Sequence, residues 1–309
     1  MNKLPIALLI FFGMFASCKD AIAKEDQAFK SEPISEATET PVKASAFKPS
    51  QEFKDYWYAG EAEITSYKLE QARYGELRDG SAVLVFVTED FLPQKQVKAE
   101  RYYTANTPLL KLNFTKNFNT GVYPYSIMQS TFYPVSNNQH ALKVSCSVQE
   151  WCGHVYSQLN NREQFEIKSH SYFESEGDED FMLNKVILEN ELWTQLRLNP
   201  ESLPIGAFKA IPALEFLSLK HIDTKPYFAT ASNKAGQYII KYQELDRTLT
   251  INYNPVFPYN ITSWEETYKD GSFGKTLTTR ATQLKTLKLP YWNKNANADE
   301  NLRETLQLN

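Results

Sequence analysis

The chain has 309 residues, and 14% of them are aromatic (18 Tyr, 19 Phe and 5 Trp) against only 11 Gly, a composition enriched in strand-forming side chains. Its formal net charge of -4 gives no electrostatic reason to expect nucleic acid as a partner. The length allows one large domain or two ordinary ones.

Residues 1–18 read as an export address. Asn2-Lys3 is a short basic start, and residues 4–15 form an apolar run too short for an ordinary membrane span. The run ends in Phe15-Ala16-Ser17-Cys18, which resembles the bacterial lipobox, although Leu is more usual where Phe15 stands. The resemblance implies that Cys18 is acylated and becomes the new N-terminus. Several acyl chains on one residue would make a stable anchor, whereas one chain binds only marginally. The alternative is an ordinary secretory signal cut nearby. Lys19 follows the cysteine in place of the Asp that retains inner-membrane lipoproteins, so the resemblance points to the outer membrane, in its periplasmic leaflet or at the cell surface. Lys19-Asp20 is similar to the charged tag of surface lipoproteins in some Gram-negative lineages.

Residues 19–50 are polar, sparse in large apolar side chains and punctuated by Pro33, Pro41 and Pro49. They read as a flexible tether with an average reach of about 30 Å. A short helix is expected over 51–58. Strands follow over 61–74 and 81–91, with Asp79-Gly80 as the hairpin turn signal. Residues 82–87 are apolar at every position, so that strand should be covered on both faces. Further strands are expected over 109–114 and 122–133.

In residues 142–161 the even positions Leu142, Val144, Cys146 and Val148 are apolar and the odd ones polar, which is the period of a half-buried strand. Beyond Gly153 the apolar set moves to odd positions, Val155 and Leu159. A β-bulge between Glu150 and Gly153 would account for the change of phase and would re-aim Trp151, Cys152 and His154. With a three-residue loop at 160–162, Cys152 falls opposite His170 and His154 opposite Lys168. Glu150, Trp151, Cys152, His154 and His170 are therefore the candidate binding residues, with Cys152 and His154 as a thiol or metal pair. The plainer alternative is a small buried thiol beside a half-exposed imidazole. A bridge between Cys146 and Cys152 is not expected, because six residues of strand span roughly 20 Å.

An amphipathic helix is predicted over 181–198, preceded by an acidic loop at 174–180 that lacks the ligand spacing of a calcium loop. Strands are then expected over 208–211, 213–221, 227–230, 237–242, 248–253, 259–268 and 275–289, with Asp270-Gly271 as a hairpin turn and a short helix over 299–308. The whole reads as one mainly β domain over 51–309. Its single large antiparallel sheet should fold over itself as a curved sheet, a sandwich or a barrel, with one internal helix and a short C-terminal one.

The segments CSVQEWCGH (146–154), QLNNR (158–162) and DYWYAGEAEITSYKLEQARYGELRDGSAVLVFVTEDF (55–91) resemble bacterial lipoproteins carrying the name septum formation inhibitor Maf. The Ser- and Arg-rich phosphate motif of the cytoplasmic Maf pyrophosphatases does not occur here, so the resemblance implies an envelope lipoprotein without a mechanism. No G-x-S-x-G, phosphate-cradling Gly-rich loop or H-E-x-x-H occurs either. The first expectation is a binding or structural envelope module with an aromatic-lined cleft for a hydrophobic or glycan ligand, needing no cofactor. An enzyme using Cys152 and His154 is the second, and an envelope assembly factor the third.

Overall fold

Alternation of apolar and polar residues turns one face of nearly every strand inward, and the result is one large sheet. The structure, a computed structural model, describes residues 47–136, 140–271 and 273–308, all within one compact unit. Cys18, the export segment and most of the expected tether lie outside the described residues.

The first half contributes β1 (Ala62–Arg73), β2 (Glu76–Leu92), β3 (Val97–Lys98), β4 (Thr107–Thr120), β5 (Tyr123–Pro134), β6 (Lys143–Glu150), β7 (Gly153–Asn161), β8 (Phe165–Ser171) and β9 (Asp178–Leu183). The second half contributes β10 (Ile187–Leu188), β11 (Gly206–Ile211), β12 (Tyr227–Lys234), β13 (Gln237–Tyr242), β14 (Arg247–Tyr253), β15 (Ile261–Asp270) and β16 (Lys275–Leu289). Four α-helices join them: α1 (Gln51–Trp57), α2 (Glu189–Leu198), α3 (Leu214–Lys220) and α4 (Asn301–Thr305). The strand order is β10-β11-β12-β13-β14-β15-β16-β1-β2-β4-β5-β6-β7-β8-β9, with β3 beside β2. Neighbours pair antiparallel except β10 and β11, which are parallel. The two edges, β9 and β10, are consecutive in the chain, and the sheet is not closed between them.

The chain from β10 to β11 fills the concave side. Helix α2 reaches strands on opposite walls: Arg197 bonds Glu63 on β1, Glu189 bonds Arg247 on β14, and Asn190 bonds Gln129 on β5. Trp193 packs edge-on against Phe114 of β4 and Trp264 of β15, with ring centroids 5.2 and 5.4 Å away. Such contacts are possible only from inside the curve, and they join the inward faces of most strands into one core. Ser50 accepts from the Phe53 N–H to cap α1, which buries Phe53 and Trp57 one turn apart.

Residues 82–87 are covered on both faces, as their composition requires. Ala82, Leu84 and Phe86 enter the main core, while Val83, Val85 and Val87 meet Leu287, Leu306 and Leu308 on the convex side. The C-terminal segment therefore shields an outer patch of β1, β2 and β16.

Several expectations change. The first hairpin turns at Tyr74-Gly75, whose φ values of 58° and 79° suit a type I′ turn; Asp79 and Gly80 lie inside β2. Residues 178–183 are strand and the helix begins only at Glu189, because pairing with β8 outweighs helical periodicity. Residues 214–220 are helix α3 rather than strand, so two helices are internal. Leu214, Phe216, Leu217 and Leu219 are all buried there with Glu215, and over seven residues their spacing fits a strand as readily as a helix.

Candidate functional site

Residues 142–161 form a hairpin, not a bulged strand. Glu150 pairs with Gly153, so Trp151 and Cys152 form a two-residue turn between β6 and β7. The change of apolar phase is the reversal of the chain. Neither turn residue has a positive φ, and the Asn-Gly or Asp-Gly signal of a primed turn is missing. Gly153 is needed for close approach: a Cβ there would meet the Tyr172 ring at 2.6 to 2.8 Å.

The register of the next hairpin also differs from expectation, since Asn161 pairs with Phe165 and the loop is residues 162–164. His170 therefore lies opposite Tyr156 rather than Cys152, and Lys168 lies opposite Gln158 rather than His154. His154 and His170 do share the outer face, where they line a shallow depression with Tyr156, Tyr172 and Asp178. His170 lies 3.2 Å from Asp178. Cys152 does not join them. Its N–H donates to Glu150 Oε2 at 2.7 Å, and hydrogen bonding and charge from that carboxylate push its thiol up, away from the thiolate. Trp151 is exposed near Tyr123, with ring centroids 6.5 Å apart. Cys146 and Cys152 are both free, the first buried and the second exposed. Among the described residues, no group of three His, Cys, Asp or Glu side chains is placed to hold a metal ion.

The concave interior holds charge but almost no space. Arg247 donates to both oxygens of Glu189 and, through Nε, to Glu266 at 2.7 Å. Lys116 and Gln129 each donate to Glu215 at 2.8 Å. Phe114, Trp193, Phe216 and Trp264 surround this cluster, and the remaining void is about 20 Å³, room for one water. Burial raises Glu215, reinforced by Glu266 and only partly offset by Lys116. For Glu266, burial is outweighed by Arg247 and Lys116, which hold its carboxyl low. Nearer the start of β1, burial of Glu63 is likewise outweighed by the paired guanidinium of Arg197, at 2.6 and 2.7 Å, and by the Tyr56 hydroxyl. This interior is a core and not a ligand chamber.

A larger space lies on the convex face. Glu89 follows Val83, Val85 and Val87 on the outer side of β2, near the bottom of the sheet, where the chain emerging from β16 passes over the start of β1. There the end of β2, Lys98 of β3, the loop through Tyr102, Lys111 of β4 and the Tyr291-Trp292 pair enclose a cleft of about 490 Å³, within the range of small-molecule sites. The Tyr102, Tyr291 and Trp292 rings are 81%, 36% and 46% exposed, so they offer apolar surface to an incoming molecule. Four carboxylates, Glu61, Glu89, Asp90 and Glu100, face three cations, Lys98, Arg101 and Lys111. The Glu89 side chain is only 6% exposed; its Oε2 lies 2.9 Å from Lys111 Nζ and 3.7 Å from Lys98 Nζ, while its Oε1 is buried without a hydrogen-bond partner. An unsatisfied buried acceptor costs about 1–3 kcal/mol.

Nothing local in the sequence marks this cleft as one site, because its parts come from segments as distant as Gly60 and Trp292. Two local signals were present: Tyr102-Tyr103 in a polar stretch, and Tyr291-Trp292 after Pro290 and before Asn293-Lys294-Asn295. Adjacent aromatics outside any periodic pattern have no core to enter.

No family model matches this chain, and no curated protein matches it. Among solved structures, it is similar to a β-barrel-like protein from Brucella abortus, a domain of unknown function designated DUF1849. The identity is 8%, with 74% of this chain and 96% of that one covered and a TM-score of 0.42. A porin-like protein from Bacteroides uniformis matches at 10% identity over 73% of this chain and 95% of its own, with a TM-score of 0.22.

Proposed function

We propose that the protein is a binding module of the bacterial cell envelope, held to the outer membrane through a lipidated Cys18, that captures a small molecule in the convex cleft of β2, β3, β4 and the Tyr291-Trp292 segment. The observation that carries the binding reading is the meeting of three exposed rings with the incompletely satisfied carboxylate of Glu89 on a rigid sheet. Rings supply contact area at low entropic cost, and fixed charges orient the ligand. The address rests on the lipobox-like Phe15-Ala16-Ser17-Cys18 alone.

Two measurements test this. Metabolic labelling with an alkynyl fatty acid should tag the wild type and not Cys18→Ala; labelling that survives the substitution removes the anchor. The apolar dye 1-N-phenylnaphthylamine should bind the solubilised full chain and lose most of its signal in Trp292→Ala. An unchanged signal places binding elsewhere.

A second reading, contact with another envelope protein, is favoured by one feature. Tyr74, Val122, Trp151 and Tyr172, each largely exposed, sit on successive turns at the end of the sheet where β1, β4, β6 and β8 finish. Such a row is more apolar than a solvated rim requires.

A further inference from the structure

Resting on the binding reading above, we infer that the cleft takes an uncharged oligosaccharide, whose sugar rings lie against Trp292 and Tyr102 and whose hydroxyls reach the carboxylate and ammonium groups of the floor. Three observations separate this ligand from the alternatives.

The first is the mixture of signs. Lys98, Glu100 and Arg101 lie within four residues of one another, and Glu89 stands between Lys98 and Lys111, so a ligand of either charge would meet like charge as well as opposite charge. A neutral ligand meets no such penalty. The second is the hydrogen-bonding requirement at Glu89. Its Oε1 has no donor, while the ammonium groups beside Oε2 keep further N–H donors to offer. A hydroxyl is both, whereas a carboxylate or phosphate only accepts and an ammonium only donates. Lys98 is exposed and its Nζ lies 3.7 Å from Oε2, so displacement of that side chain would bare Oε2 to a ligand hydroxyl. The third is the exposed rings. A sugar presents a face of C–H groups, which are attracted to the negative face of an aromatic ring. An aliphatic chain would also cover the rings, but it would bury Glu89, Asp90 and Lys111 without giving them partners.

The test is a neutral-glycan array probed with the detergent-solubilised full chain, followed by calorimetry with each hit and with tetragalacturonate and choline as charged probes. At least one neutral glycan should bind, tetragalacturonate and choline should bind at least tenfold more weakly, and Trp292→Ala and Glu89→Gln should each weaken the hit at least tenfold, the first with the thermal midpoint unchanged. Preference for choline would make the cleft an aromatic cage for a cation and overturn the inference. Preference for tetragalacturonate, silence of the whole array, or glycan binding that persists in Trp292→Ala would overturn it as well. The dye separates the two levels of argument. If 1-N-phenylnaphthylamine still binds in a Trp292-dependent way while every glycan fails, the cleft binds and only the ligand class is wrong. If neither responds to Trp292→Ala, both readings fall.

Discussion

The interior cluster and the convex cleft are built from the same kinds of residue, carboxylates and cations set among aromatic rings, yet they differ in what is left over. Inside the curve, Glu189, Glu215, Glu266, Lys116 and Arg247 take one another and Gln129 as partners, and about 20 Å³ of space remains. On the outside, Glu89 keeps an oxygen without a partner beside about 490 Å³ of open volume. Residue type does not separate a structural cluster from a binding site here. What separates them is cover: α2 and α3 close over the first, whereas the chain after β16 only rims the second.

That contrast can be broken most forcefully in the interior. Arg247→Met would leave two buried carboxylates uncompensated, and a loss of about 3–5 kcal/mol is expected in urea unfolding, because breaking a buried ion pair exposes its full desolvation cost. A loss under about 1 kcal/mol would mean that the cluster does not lock the helices to the sheet. Removing both partners is different: Lys116→Met combined with Glu215→Leu should cost much less than the sum of the single changes, with a coupling of at least about 1 kcal/mol in a double-mutant cycle.

Acidification sharpens the same point with a definite sign. Glu63 and Glu266 titrate lower in the fold than in the unfolded chain. Their contribution is present above the ordinary carboxylate pKa of about 4.3 and is lost as pH falls through their folded values. Glu215 shifts the other way, so its contribution is present below that ordinary value and is lost as pH rises through its folded one. The wild type should therefore destabilise below about pH 4, and Glu215→Gln should flatten the stability curve above it. Chemical denaturation at intervals of pH checks both arms, and a Glu215→Gln curve parallel to the wild type on the neutral side would refute the second.

Smaller effects belong to the surface. Gly153→Ala must displace the Tyr172 ring and should cost about 1 kcal/mol, seen as a lower thermal midpoint that Tyr172→Ala restores. Trp292→Ala should change stability by no more than about 0.5 kcal/mol while abolishing ligand capture. A large loss of stability would assign Trp292 to the packing of the C-terminal segment instead.

Much of the fold was legible because alternation is a local property. The patterns over 109–114, 237–242 and 275–289 each lie within an observed strand, and the unbroken apolar run at 82–87 required cover on both faces, which Leu287 of β16 and the residues after α4, Leu306 and Leu308, help provide. Legibility ended where the signal is not local. A two-residue turn without glycine at its tip looks like a bulge, the spacing over 214–220 fits a strand as readily as a helix, and an acidic strand at 178–183 becomes one only because β8 lies beside it. The candidate site shows the same limit. Glu150, Trp151, Cys152 and His154 are neighbours in sequence, but the turn holds Cys152 against Glu150 and outside the depression that His154 and His170 line, while Glu89, Lys111 and Trp292 come together only because β16, β1, β2 and β4 stand side by side. The β class, the strand faces and the doubly covered strand follow from side-chain period and burial, which are written along the chain. Which charges are sealed and which border open space depends on the distant segments that fold over them, and no local pattern carries that.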